Sequence, residues 1–147
     1  MVPAGMASLG WSLPADQGRL RFFGHSLGAA VCLEGAKEFE IQRGVLLAPF
    51  TSTMEMTKAM FGVNLGFIVW HRFDNLARLK EMEKKGGASV YIFHGSEDES
   101  LPVWMSRKMA KELPSVVHFT EVPKGRHNVL QDMVPDEIRA AMEKARE

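Results

Sequence analysis

The stretch Leu20-Arg21-Phe22-Phe23-Gly24-His25-Ser26-Leu27-Gly28-Ala29-Ala30-Val31-Cys32-Leu33 decides the fold. A short apolar run of strand character leads into Gly-x-Ser-x-Gly, and an alanine-rich helix start follows at once. Glycines at 24 and 28 let the chain turn sharply from strand to helix. The serine between them is then held in a strained backbone conformation with its hydroxyl exposed. In this geometry the backbone N–H of Leu27 points at an oxygen that would develop negative charge beside Ser26. A plainer reading makes Ser26 a helix N-cap, a position that serine favours.

Working outward, strand and helix patterns alternate. A helix is expected from about Ser26 to Phe39, followed by a strand at Gly44-Val45-Leu46-Leu47 and an insert at 49–74. The amphipathic segment Asn75 to Met82 predicts a helix closed by Gly86-Gly87. Ala88-Ser89-Val90-Tyr91-Ile92-Phe93 is short, β-branched and aromatic, hence a strand. A helix from Pro102 to Leu113, a strand from Val116 to Val122 and a helix from Pro135 to Ala145 complete the pattern. Strands alternating with helices of this length imply parallel pairing.

Two loops carry further chemistry. The strand ending at Phe93 runs into His94-Gly95-Ser96-Glu97-Asp98-Glu99-Ser100-Leu101-Pro102, and the next strand runs into Pro123-Lys124-Gly125-Arg126-His127-Asn128. An acid after one strand and a histidine after the next match the chain order serine, acid, histidine. The residues alone leave Glu97, Asp98 and Glu99 as alternatives, any of which is also an ordinary solvated turn charge. Of the other histidines, His25 is expected to pack or bond locally, His94 to shape the acid loop, His118 to lie within a strand and His71 on the insert surface.

Together these motifs make the chain resemble the α/β-hydrolase superfamily, specifically the C-terminal half of its domain. Gly24-His25-Ser26-Leu27-Gly28-Ala29-Ala30 is similar to the nucleophile elbow, His94-Gly95-x-x-Asp98 with Pro102 to the acid loop, and Gly125-Arg126-His127-Asn128 to the histidine loop. The lysophospholipase, monoacylglycerol lipase and serine-aminopeptidase-like group is the nearest in pattern. The resemblance implies a partial fold with a parallel sheet of about four strands, flanked by helices and carrying a short apolar cap. It implies a single domain over residues 1–147, N-terminally truncated, with no cofactor and no metal. It also favours Asp98 over its neighbours and gives Ser26, His127 and Asp98 the roles of nucleophile, base and orienting acid, with Leu27 N–H in the oxyanion hole.

Composition sets the outer limits. The 147 residues are 46% hydrophobic and 24% charged, the balance of a globular domain. Eighteen basic and eighteen acidic residues cancel, leaving no electrostatic footprint for nucleic acid. The one cysteine, Cys32, excludes an internal disulfide and suits a reducing compartment. No signal peptide or membrane-spanning run is visible, so a cytoplasmic or membrane-associated location is expected.

Met1 to Leu13 suggests the tail of a helix, and no strand candidate precedes Phe22. An upstream His-Gly loop for a second oxyanion donor is likewise missing, and losing one such donor costs about 3–4 kcal/mol of transition-state stabilisation. The elbow strand is then expected to present a free apolar edge, open to self-association or a partner strand. Met54, Met60, Phe61, Phe67 and Trp70 of the apolar insert are candidates to contact a lipid-like acyl substrate or a membrane surface, or else simply to pack on the sheet. Three functions fit: hydrolysis of lipid-like esters or thioesters, hydrolysis of small esters or peptides, and a non-catalytic fragment.

Overall fold

In a computed structural model, which describes residues 8, 10, 17–63 and 72–146, four strands form one parallel sheet in the order of the sequence. They are β1 (Phe22–His25), β2 (Arg43–Leu47), β3 (Ser89–Gly95) and β4 (Val117–Val122). Phe23 pairs with Val45, Val45 with Tyr91, and Tyr91 with His118, so the register runs unbroken across the sheet. Among the described residues six α-helices accompany them: α1 (Leu27–Glu38), α2 (Thr53–Phe61), α3 (Asn75–Lys85), α4 (Trp104–Glu112), α5 (Leu130–Met133) and α6 (Pro135–Lys144).

The two-residue period of the strands divides the core. Phe22, Leu46, Val90 and Ile92 point to one face, where Ala29, Leu33 and Ala36 of α1, Leu79 and Met82 of α3, and Met109 of α4 cover them. Val45, Leu47 and Phe93 point to the other and meet Leu130, Val134 and Ala141 of the C-terminal helices. A third cluster of Ala30, Phe50, Leu101 and Met105 packs beyond the strand ends. Both faces of the central strands β2 and β3 are therefore largely covered, as buried parallel strands require.

Boundaries differ from the sequence reading where tertiary pairing intervenes. β3 runs on to Gly95 because His94 and Gly95 pair with Glu121 and Val122. The helix expected from Pro102 starts at Trp104, since Met105 and Ser106 N–H donate to the carbonyls three residues back and make the first turn a tighter one. Ser26 stands outside α1, at φ 56° and ψ −123°. α3 ends at Gly86, whose φ of 82° favours glycine. The helix expected over Met1 to Leu13 lies outside the described residues.

Among the described residues β1 pairs on one side only, and Phe23 beside that free edge is 44% exposed. The insert after β2 is closed at its base, where Ser52 bridges Asp74 and Thr53 N–H donates to the Phe73 carbonyl at 2.9 Å. No described helix is long and apolar enough to cross a membrane.

Ile92, fully buried at the centre of the sheet, is expected to show how far stability depends on this core. Ile92→Ala should lower the unfolding free energy by about 2–5 kcal/mol in urea titration, and a loss under 1 kcal/mol would contradict the packing described.

Candidate active site

Three strand ends deliver the site to one edge of the sheet. Non-glycine residues with positive φ follow β1, β2 and β4 there: Ser26 (56°), Ala48 (43°) and Lys124 (58°). Such strain persists only where surroundings enforce it. At Ser26 the Ser26 N–H donates to the Leu47 carbonyl at 2.9 Å, which extends the ladder into the turn. Gly24 permits the helix to leave so sharply, because a Cβ there would sit 2.7 Å from the Ala29 Cα and the Gly28 oxygen. Gly28 faces open space instead.

The acid and histidine loops are bonded to each other. Glu97 N–H donates to the Gly125 carbonyl at 3.0 Å, and Lys124 N–H to Ser96 Oγ at 2.9 Å. Gly95 and Gly125 make this approach possible, since a Cβ on Gly125 would lie 2.8 Å from the Gly95 Cα. The pair of loops thereby behaves as one unit.

Ser26, His127 and Asp98 meet across this junction. His127 Nε2 lies 3.0 Å from Ser26 Oγ, and His127 Nδ1 lies 2.7 Å from Asp98 Oδ2. The Asp98 side chain is fully buried, yet its carboxyl is held well below the usual carboxylate range. Burial alone would raise it; ring N–H groups of His94 and His127 and the backbone N–H groups of Leu101 and Ser100 outweigh that. Oδ1 accepts from Ser100 N–H at 2.9 Å and Leu101 N–H at 2.7 Å. Oδ2 receives His127, with His94 Nε2 at 3.3 Å. Three hydrogen bonds therefore hold the carboxylate, and the His94 Nε2–H, donated to the Leu101 carbonyl at 2.9 Å, lies alongside Oδ2 as a longer fourth contact. An ionised acid accepts only, so the His127 proton sits on Nδ1, and Nε2 is free to accept from the Ser26 hydroxyl.

The neighbouring acids take other places. Glu97 is exposed. Glu99 accepts the His127 backbone N–H at 3.3 Å and faces Arg126 at 3.5 Å. His25 Nε2–H donates to the His127 carbonyl at 3.1 Å, and the two rings stand 4.8 Å apart. Burial and the neighbouring His127 lower the pKa of His25. His118 lies within β4, stacked on Tyr91. Leu27 opens α1, where geometry gives its N–H no intrahelical acceptor and the helix dipole is positive.

Met54, Met60 and Phe61 lie on α2 and are 47%, 50% and 61% exposed, while Met56 packs on the Phe50 cluster. Phe67 and Trp70, with His71, lie outside the described residues. Cys32 is half-buried; its thiol donates to the Phe23 carbonyl, and burial raises its pKa. Among the described residues no group of three His, Cys, Asp or Glu side chains is placed to hold a metal ion. Ser106, which bonds the buried His94 at 2.7 Å, had no sequence signal, because only packing of α4 against β3 brings it there.

No family model matches the chain. It is 26% identical over 114 residues to uncharacterized proteins of Mycobacterium tuberculosis, one from strain H37Rv and one from strain CDC 1551. The match takes in 77% of this chain and 39% of each relative, so the chain spans about two fifths of their length. Among solved structures, 98% of the chain superposes on 64% of an esterase domain from a Rhodothermus marinus protein, with 17% identity and a TM-score of 0.60. An alpha/beta hydrolase enzyme from a lagoon-sediment metagenome matches at TM-score 0.57 and 17% identity, over 85% of this chain and 59% of that one. A Mycobacterium tuberculosis puromycin-hydrolyzing peptidase gives TM-score 0.67 and 14% identity, over 98% and 24%. The chain thus has part of the α/β-hydrolase fold, from the elbow strand onward.

The hydrogen-bonded carboxylate makes a pH prediction. The depressed Asp98 pKa means that, below the ordinary aspartate value of about 3.9, the unfolded chain binds a proton before the folded chain does. Stability therefore rises with pH across that interval and is lost as pH falls through it. Urea midpoints of the native chain should fall more steeply below about pH 4 than those of Asp98→Asn, and parallel slopes would remove Asp98 as their cause.

Proposed function

We propose that this chain is a serine hydrolase acting on carboxylic esters or thioesters, with lipid-like acyl groups as its substrates. One observation carries the reading: the Ser26–His127–Asp98 hydrogen-bond chain, with the serine strained at the elbow. Serine is a weak nucleophile until an adjacent base takes its proton. His127 Nε2 is in reach to do so, and Asp98 keeps the ring in the required tautomer and stabilises the imidazolium that forms. Ser26 Oγ would attack the acyl carbon while the Leu27 N–H faces the oxyanion. The imidazolium would then protonate the leaving alcohol or thiol. Water, deprotonated by the same ring, would release the acyl group.

Support for the coarser class comes from the solved neighbours, several of which are titled esterases or hydrolases. Support for lipid-like acyl chains is the exposure of the apolar residues Met54, Met60 and Phe61 on α2, whose flexible side chains suit a variable acyl chain. The lysophospholipase and monoacylglycerol lipase branch is proposed on the loop motifs. A membrane surface would meet the same apolar residues, and the free edge of β1 beside Phe23 would favour self-association. A second reading is a non-catalytic hydrolase fragment, in keeping with a chain that spans 39% of the length of its curated relatives.

A fluorophosphonate probe tests the proposal. The folded chain should be labelled covalently, and Ser26→Ala should abolish the signal. Asp98→Asn should slow labelling by about 10⁴-fold, whereas Glu97→Gln should leave it unchanged. A labelled chain should then cleave long-chain nitrophenyl esters faster than acetyl esters. Preference for the acetyl ester would favour the small-substrate alternative, and a folded chain that is not labelled would favour the non-catalytic one.

A further inference from the structure

His94 and Ser106 are both fully buried, and neither has a part in the chemistry proposed for Ser26 and His127. A buried polar pair is retained only when its hydrogen bonds are satisfied, because an unpaired one is costly. Here the bonds are complete and directional. His94 Nε2 lies 2.9 Å from the Leu101 carbonyl, and His94 Nδ1 lies 2.7 Å from Ser106 Oγ. A carbonyl only accepts, so the proton of His94 is on Nε2, and Nδ1 accepts the Ser106 hydroxyl proton. The same Nε2–H stands 3.3 Å from Asp98 Oδ2, the oxygen that receives His127.

We propose that His94 is a positioning residue: held as the Nε2–H tautomer by the Leu101 carbonyl, with Ser106 on Nδ1, it fixes Oδ2 of Asp98 on the His127 Nδ1–H. Each contact has its own origin in the fold. His94 leaves the end of β3, paired in register with Glu121 of β4. Ser106 arrives on α4, whose Met105 packs with Leu101 in the cluster beyond the strand ends. The acid loop from Asp98 to Leu101 wraps the ring between them, with Oδ1 fixed by two backbone N–H groups. Those backbone bonds hold one oxygen; the second would be free to turn about the carboxylate axis without a partner besides His127. The His94 Nε2–H, shared between the Leu101 carbonyl at 2.9 Å and Oδ2 at 3.3 Å, limits that freedom.

The inference rests on the serine hydrolase reading for its kinetic consequence, but its geometry is measurable without turnover. In the native chain, ¹⁵N-histidine spectra should show His94 as the Nε2–H tautomer and a low-field His127 Nδ1–H proton. An Nδ1–H tautomer at His94 overturns the proposal, whether or not any variant folds. His94→Leu, which removes the donor, should slow fluorophosphonate labelling by about 10- to 100-fold. It should also move the acid limb of the labelling profile to lower pH, as the imidazolium loses an aligned carboxylate. His94→Gln places an amide N–H near the Nε2 position and should restore both rate and profile. Equal losses in the two variants would make His94 a packing residue only, and an unchanged His94→Leu would refute the proposal outright. If the native chain is not labelled at all, that failure belongs to the hydrolase reading. The low-field His127 proton, expected to weaken in His94→Leu and to persist in His94→Gln, then decides the positioning role alone.

Discussion

Parallel pairing of four strands in sequence order is the constraint on which everything else depends. Because the strands run the same way, all their carboxyl ends finish at one edge of the sheet, and the loops after β1, β3 and β4 must meet there. Ligand sites in open α/β sheets gather at that edge for this reason. The register transmits position as well as direction: Phe23, Val45, Tyr91 and His118 lie side by side across the sheet. A serine at 26 and a histidine at 127, 101 residues apart in the chain, become neighbours this way.

On that frame the Asp98 carboxylate is the electrostatic centre. A fully buried charge is unfavourable unless paired and hydrogen-bonded. Two N–H groups from the backbone of its own turn and one from His127 in the loop after β4 resolve this, with the His94 Nε2–H of β3 shared between Leu101 and Oδ2. The arrangement explains why acid and histidine loops need glycines at 95 and 125, for only backbone without Cβ lets the two loops lie this close. It also separates the three acids of one loop by environment: one buried and hydrogen-bonded, one exposed, one shared between Arg126 and a backbone N–H.

The surface around the site is less specialised. Met54, Met60 and Phe61 are exposed on a helix whose other side, through Thr53, Thr57 and Met56, faces the core. That half-and-half character is common to a substrate surface and to an ordinary amphipathic helix. The serine–histidine–acid geometry, in contrast, rests on specific hydrogen bonds.

Much of this was legible in the residues. Gly24-x-Ser26-x-Gly28 between an apolar run and an alanine-rich start gave the turn, and strand and helix periods gave the alternation, because both are local properties of the chain. The histidine loop was found by order and strand position. What local pattern left open was which of Glu97, Asp98 and Glu99 faces the histidine, since adjacent turn residues differ in direction and not in composition. It also left Ser106 unmarked, and placed the end of β3 two residues early. Those outcomes were decided by tertiary structure alone: by β4 pairing with His94 and Gly95, by α4 carrying Ser106 onto the ring, and by burial that admits only the carboxylate with donors on both of its oxygens.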